Sequence, residues 1–339
     1  MDIIGFWNNK GGTGKTSLAF QSICQYAHDN PSVRVLVIDV CPQANLSELF
    51  LGGLEGNGGK NLLSVQGQTP RCSVGGYFQL RLPRPYDAGD FSSSNFIANP
   101  ARYNQQIPKN IDLVPGDPLL ELQANAMSTL ANNQIPGTNT WIKIVSWLKD
   151  FLAGIEEDYD VVFIDMNPSF SIYTQVALAS CNKLVLPVMA DDSSRRAIQN
   201  AFSLIFGLKL PSEIYAQHMF STKIVEGGLV LPKIHLIVKN RITQYMGPAS
   251  GYAAVLASID DDLRSVVRSH PQYFTFGDVD DGIVEVRDFQ STGVVAFARG
   301  APFFAMSPGK LTVGDKRIAI DRAQRDERAK EMKIMASML

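Results

Sequence analysis

Nine consecutive residues, Asn9, Lys10, Gly11, Gly12, Thr13, Gly14, Lys15, Thr16 and Ser17, bring together the side-chain types needed to hold a phosphate group. Glycines let the chain turn tightly, so that successive backbone N–H groups point inward at an anion. A lysine directly after the last glycine reaches the β- and γ-phosphates of a nucleotide, and the hydroxyl of the next threonine can bind Mg²⁺. The run departs from the strict pattern G-x-x-x-x-G-K-[ST] at its first position, where Asn9 replaces glycine, and it carries a second lysine, Lys10. Two aspartates extend this chemistry. Asp39 follows VLVI and Asp165 follows VVFI, so each is expected at the carboxyl end of a strand, where open parallel sheets bind their ligands. Mg²⁺ gives up its water shell reluctantly, so both carboxylates could hold it through water.

A phosphate loop works only when a strand delivers it and a helix N-terminus receives it. The flanking residues meet that requirement: 3–7 is a short apolar run and 17–28 places Leu18, Ala19, Ile23 and Tyr26 near helical spacing. Further short runs at 33–38, 161–164, 184–188 and 234–238, wholly or almost wholly apolar, read as strands buried on both faces of a parallel sheet. Between them, 141–155 predicts a helix with Trp141, Ile144, Val145, Leu148, Leu152 and Ile155 on one face. Strands alternating with helices predict one α/β domain over 1–339, a mostly parallel twisted sheet with helices on both faces. Residues 52–118 break the rhythm with seven prolines and a GGLEGNGG start. The stretch 52–110 is therefore expected to be an elaborated loop insertion, folded on its own aromatic residues (Tyr77, Phe78, Tyr86, Phe91, Phe96, Tyr103) or offering them to a partner. Residues 311–339 are expected to form a C-terminal helical extension.

Composition limits the classes of function. The chain has 339 residues, 45% hydrophobic and 19% charged, which is enough to bury a core. Its 31 basic and 33 acidic residues nearly cancel to −2, so any contact with nucleic acid must come from a local patch. Cys24, Cys41, Cys72 and Cys181 are scattered without CxxC spacing, which fits a reducing compartment. No apolar run approaches the roughly 20 residues of a bilayer span, and MDIIGFWNNK carries no signal pattern, so a cytoplasmic location is expected.

The sequence resembles the ParA/MinD group of deviant Walker A P-loop ATPases, on its ParA-like side. The segments that carry the resemblance are KGGTGKTS at 10–17, VLVIDVCPQANLSELF at 35–50, DYDVVFIDMNPSF at 158–170, LVLPVMADDSSRRAIQN at 184–200, LIVKNRITQY at 236–245 and VEVRDFQSTGVVAFARGAP at 284–302. The resemblance implies an ATP-dependent sandwich homodimer in which Lys10 crosses to the partner's phosphates. It likewise implies that Lys15 and Thr16 serve their own nucleotide and Mg²⁺, that Lys10, Lys15 and Asp39 are catalytic, and that Asn240 and Arg241 fall where the family reads adenine. A cation at the γ-phosphate would make dimerisation depend on ATP rather than ADP. It further implies partition or positioning of DNA or another large cargo, nonspecific DNA binding, a nucleoid-associated location and a ParB-like or other adaptor that stimulates hydrolysis.

Two positions depart from that pattern. The family's second aspartate in Asp-x-Asp-Pro-Gln orients the attacking water; here it is Cys41, a thiol with weak acceptor power and an ordinary pKa near 8.5. Slow or partner-dependent hydrolysis is the expected result, with Asp39 mainly a metal-shell ligand. That substitution keeps open an alternative, a nucleotide-gated scaffold with little hydrolysis acting in a membrane-associated, secretion or positioning complex. Asn167 stands where the family's Asp-x-Pro-Pro has its first proline, a change expected to be mild.

For DNA, residues 309–339 hold eight basic and five acidic side chains, with Lys310, Lys316, Arg317, Arg322 and Arg325 as candidate contacts and Arg195 and Arg196 as additions to the patch. The competing reading is a solvated helix laced by pairs such as Asp321–Arg325 and Glu327–Lys330. The end KEMKIMASML places Met332, Met335 and Leu339 on one side but lacks an aromatic anchor and a dense basic face, so membrane binding is less favoured.

Overall fold

In the computed structural model, residues 1–189, 192–209, 212–242 and 251–339 are described; positions 190–191 and 243–245 of two of the quoted segments lie outside them. Seven strands run parallel: β1 (Asp2–Phe6), β2 (Val35–Val40), β3 (Ile111–Val114), β4 (Val161–Met166), β5 (Lys183–Met189), β6 (Lys233–Ile242) and β7 (Ile283–Arg287), in the order β3-β2-β4-β1-β5-β6-β7. The helices are α1 (Lys15–Asp29), α2 (Asn45–Phe50), α3 (Gly58–Gln66), α4 (Val74–Arg81), α5 (Leu119–Ala131), α6 (Thr140–Val145) and α7 (Trp147–Ala153). They continue with α8 (Ile172–Ser180), α9 (Asp192–Phe206), α10 (Phe220–Glu226), α11 (Gly251–Ser269), α12 (Gln290–Arg299) and α13 (Arg322–Ala336).

Every residue of β2 and β4 is buried, which is why these strands read as unbroken apolar runs. Alternate side chains feed two separate cores. Val35, Val37, Val161 and Phe163 pack with Leu18 of α1, Leu49 of α2, Val295 of α12 and Met335 of α13. Leu36, Ile38, Val162 and Ile164 pack on the opposite face with Leu120 of α5, Val176 of α8, Phe202 of α9 and Leu263 of α11. The sheet is thus covered on both sides, as the sequence pattern predicts.

Several elements differ from the sequence reading. The 141–155 helix is two helices, α6 and α7, meeting at Ser146. The 52–110 stretch is not plain loop: it holds α3 and α4, the latter capped by Ser73 Oγ accepting from the Gly76 N–H, and two short 3₁₀ turns. Its aromatic residues serve the core, since Tyr77 packs against Phe91, Phe96 and Phe151, and the Tyr77 hydroxyl donates to the Trp147 carbonyl. The C-terminal segment is not wholly helical. An antiparallel hairpin, β8 (Gly309–Val313) and β9 (Lys316–Ile320), turns at Gly314 (φ 56°) before α13 begins.

Candidate functional site

The loop leaves the carboxyl end of β1 beside β4 and β5 and enters α1, whose first turn has no side-chain cap. An uncapped helix start leaves N–H donors open toward an anion, with the positive end of the helix dipole behind them. Gly12 (φ 76°) and Gly14 (φ 77°) take left-handed conformations. At Gly14 a Cβ would lie 2.4 Å from Asn240 Nδ2, so glycine is required twice over, by conformation and by space. Asn240, on β6, donates from Nδ2 to the Thr13 carbonyl at 2.7 Å and thereby ties that strand to the loop. A second clamp escaped the sequence reading. Asn8 is fully buried, its Nδ2 donating to the Pro187 carbonyl (2.7 Å) and its Oδ1 accepting from the Lys10 N–H (2.9 Å).

Lys15 is 8% exposed, and its Nζ lies 2.7 Å from Asp165 Oδ1; Thr16 Oγ1 donates to Asp165 Oδ2 at 3.0 Å. Asp39 and Asp165 are cross-strand partners in the β2–β4 register and both are buried. Asp39 Oδ2 accepts from the Ser47 N–H (2.9 Å) and the Ser47 hydroxyl (2.7 Å), while its Oδ1 is buried without a hydrogen-bond partner. Burial and the neighbouring Asp165 charge push the Asp39 carboxyl up to about 7, against the Ser47 hydrogen bonds. The Cys41 thiol is likewise pushed up to about 12, by burial and by the Asp39 and Asp165 charges, so it is protonated at neutral pH. Its Sγ donates to Asn167 Oδ1 at 3.9 Å, a long, weak bond. The two departures noted in the sequence are neighbours in space.

From Gly14 and Ser17 a cavity of about 670 Å³ opens between β6 and α12. Asn240, Arg241, Asp288, Phe289 and Gln290 line one part, and Leu54, Val294, Phe297 and Val313 give it apolar walls. Asn240 and Arg241 therefore stand beside the phosphate loop, Arg241 with a positive φ of 61° and its N–H donating to Asn240 Oδ1. The walls contributed by α12 and the hairpin were not identified from the sequence.

The basic candidates are spread over three elements. Lys310 is on β8, Lys316 and Arg317 on β9, and Arg322 and Arg325 on α13. Lys310 and Arg317 fall on the outer hairpin face, because Leu311, Val313 and Ile318 pack inward. Arg325 is half-buried, bonding the Met306 carbonyl and pairing with Asp326. Asp321 caps α13 by accepting from the Gln324 N–H, and Glu327 pairs with Arg287 and Arg328; the expected Asp321–Arg325 and Glu327–Lys330 pairs are replaced by these. Arg195 and Arg196 belong to α9, across the sheet from α13, and do not join that patch.

Residues 1–210 match the AAA domain family. A putative replication protein A from Rhizobium rhizogenes is 29% identical over 189 residues, 56% of this chain and 40% of that protein. The cell division protein PomZ of Myxococcus xanthus is 29% identical over 217 residues, 63% of this chain and 54% of PomZ. The chain spans about half the length of these curated relatives. Among solved structures, an ATP complex of McdA from Cyanothece shares the fold with a TM-score of 0.60 at 16% identity, covering 100% of this chain and 96% of that one. A family match over more than half of the chain, on a parallel sheet with the phosphate loop at its centre, places this protein in the AAA domain family as a ParA/MinD-like P-loop ATPase.

Proposed function

We propose that this chain is a Mg²⁺-ATP-switched ATPase of the ParA type that dimerises on ATP and positions DNA or another large cargo over the nucleoid in the cytoplasm. The carrying observation is the continuity of the site: an uncapped α1 N-terminus, Lys15 and Thr16 inside it, and a nucleoside-sized cavity leading from Gly14 to Asn240 and Arg241. In this reading the N–H groups of 11–16 cradle the phosphates, Lys15 leaves Asp165 for the β/γ-phosphates, and Lys10 meets the nucleotide of a second protomer. The pair of buried carboxylates fits a divalent cation, because Asp39 Oδ1 is buried without a partner and its charge is opposed by Asp165. Thr16 would hold Mg²⁺ directly and Asp39 and Asp165 through water; when bound, it neutralises charge on the β- and γ-phosphates. Lys310, Lys316, Arg317 and Arg322, all exposed, would supply weak, salt-sensitive contacts to duplex DNA from each protomer, with half-buried Arg325 at their edge. An adaptor protein would set the hydrolysis rate.

The neutral thiol at Cys41 favours a second reading, a nucleotide-gated scaffold with negligible turnover in a positioning or secretion complex. ATP turnover of the purified protein, alone and with nonspecific duplex, measured alongside its oligomeric state in ATP and in ADP, separates the two. A dimer in ATP but not ADP, with slow turnover that rises with DNA, is the expected result. A monomer in both nucleotides overturns the proposal, and an ATP dimer without turnover in either condition selects the scaffold.

A further inference from the structure

Hydrolysis needs an acceptor that holds a water in line with the γ-phosphate, and in this site the acceptors can be counted. Both oxygens of Asp165 are taken by Lys15 and Thr16 without nucleotide, and in the ATP-bound reading above this carboxylate is committed to the water shell of Mg²⁺. Asp39 Oδ2 is taken by Ser47, and its buried, unpartnered Oδ1 is the atom assigned above to the Mg²⁺ site. The Cys41 thiol is a weak acceptor.

Asn167 is different. It lies two residues beyond Asp165, just past the end of β4, and its amide has a fixed orientation. Its Nδ2 donates to the Tyr173 hydroxyl (2.9 Å) and to Ser169 Oγ (3.0 Å), which uses both of its hydrogens. Those acceptors are free to accept, because Tyr173 gives its own proton to Glu121 Oε1 (3.1 Å) and Ser169 gives its own to Ser171 Oγ (3.1 Å). Tyr173 is 1% exposed, so the anchor is held by packing. The inventory is consistent from Glu121 inward, and it leaves one group pointing the other way: Asn167 Oδ1, which accepts a long bond from the Cys41 thiol at 3.9 Å and keeps a second lone pair for a water.

Resting on the ATPase reading above, we propose that Asn167 is a catalytic residue of this chain, its side-chain carbonyl orienting the attacking water, with Tyr173 and Glu121 as positioning residues. An amide is competent for this, since a glutamine orients the water in some P-loop nucleotidases. The water oxygen bonds to the γ-phosphorus, the bond to the β–γ bridging oxygen breaks, and ADP leaves. The amide carbonyl is not basic enough to keep a proton, so the water's proton passes to an oxygen of the departing phosphate. The arrangement performs at position 167 what a carboxylate at position 41 would otherwise do.

The test is single-turnover ATP hydrolysis alongside nucleotide affinity, measured with a fluorescent ATP analogue, for Asn167→Ala, Tyr173→Phe, Cys41→Asp and the Cys41→Asp/Asn167→Ala double variant. Asn167→Ala is expected to slow hydrolysis at least about tenfold with affinity unchanged within about twofold. Tyr173→Phe, which frees the amide to turn, is expected to slow it about threefold or more, again at unchanged affinity. In the Cys41→Asp background, the loss caused by Asn167→Ala should shrink below about twofold, which a merely structural role for Asn167 would not produce. Wild-type hydrolysis by Asn167→Ala, or an equal loss in both backgrounds, overturns the proposal. Wild-type protein that binds the analogue without hydrolysing ATP also overturns it while sparing the nucleotide site, whereas absent binding removes the ATPase reading itself.

Discussion

At the scale of single residues, the site is governed by which groups are charged. Cys41 is pushed up to about 12, so at pH 8 only about one thiol in ten thousand is a thiolate. Its alkylation by iodoacetamide should therefore be slow in the folded protein and rise about tenfold per pH unit from 8 to 10, read by peptide mass spectrometry; a rate that levels off near pH 8.5 would contradict this. Cys41→Asp places a carboxylate beside the same loop, and steady-state turnover should rise about tenfold or more. Unchanged turnover would mean that the thiol is not what limits hydrolysis. The phosphate-loop residues and the two aspartates were legible because their types are tied to fixed positions after strands. Asn8 and Tyr173 were not, because their importance lies in hydrogen bonds to Pro187 and Asn167, distant or unremarkable in the sequence. Two adjacent asparagines before the glycines were the signal available for Asn8.

Elements, not residues, determine how stiffly the loop is held. Gly14 faces Asn240 across a gap with no room for a methyl group, so Gly14→Ala should cost about 1–2 kcal/mol from the left-handed backbone alone. It should also lower ATP affinity at least about tenfold in an equilibrium titration. Strands buried on both faces announced themselves as apolar runs, whereas β7, with every second residue outward and the pattern IVEVR, did not. β3 was hidden by its length of four residues inside a proline-rich stretch. The hairpin carried a readable cue, Leu311 and Val313 alternating toward Gly314-Asp315 and then Ile318 and Ile320, which the count of basic residues overshadowed. Trp141 to Ile155 looked like one amphipathic helix because periodicity does not record the break at Ser146.

The whole molecule couples these parts through charge. Lys15 balances two buried carboxylates, so Lys15→Met should abolish ATP binding and also lower the stability of the nucleotide-free protein by roughly 3 kcal/mol in denaturant titration. Lys10→Gln should leave ATP binding intact while removing the ATP-dependent dimer in analytical ultracentrifugation, and a persisting dimer would exclude Lys10 as the bridging cation. If the hairpin meets DNA, Lys310→Glu combined with Arg317→Glu removes four contacts per dimer. The slope of log affinity against log salt should then flatten by about 3 to 4.

One further consequence follows from where the cavity beside Gly14 is built. Apart from Gly14, Ser17, Glu48 and Leu54, its walls come from β6, the turn into α12, α12 itself and the hairpin, all after residue 210, while the phosphate loop and both aspartates lie before it. In the reading proposed above, the residues that would meet the base and those that would meet the phosphates thus lie in different stretches of the chain, joined at the Asn240–Thr13 hydrogen bond. On that reading, substitutions in the later stretch should retune which base is accepted while the phosphate loop and both aspartates stay unchanged.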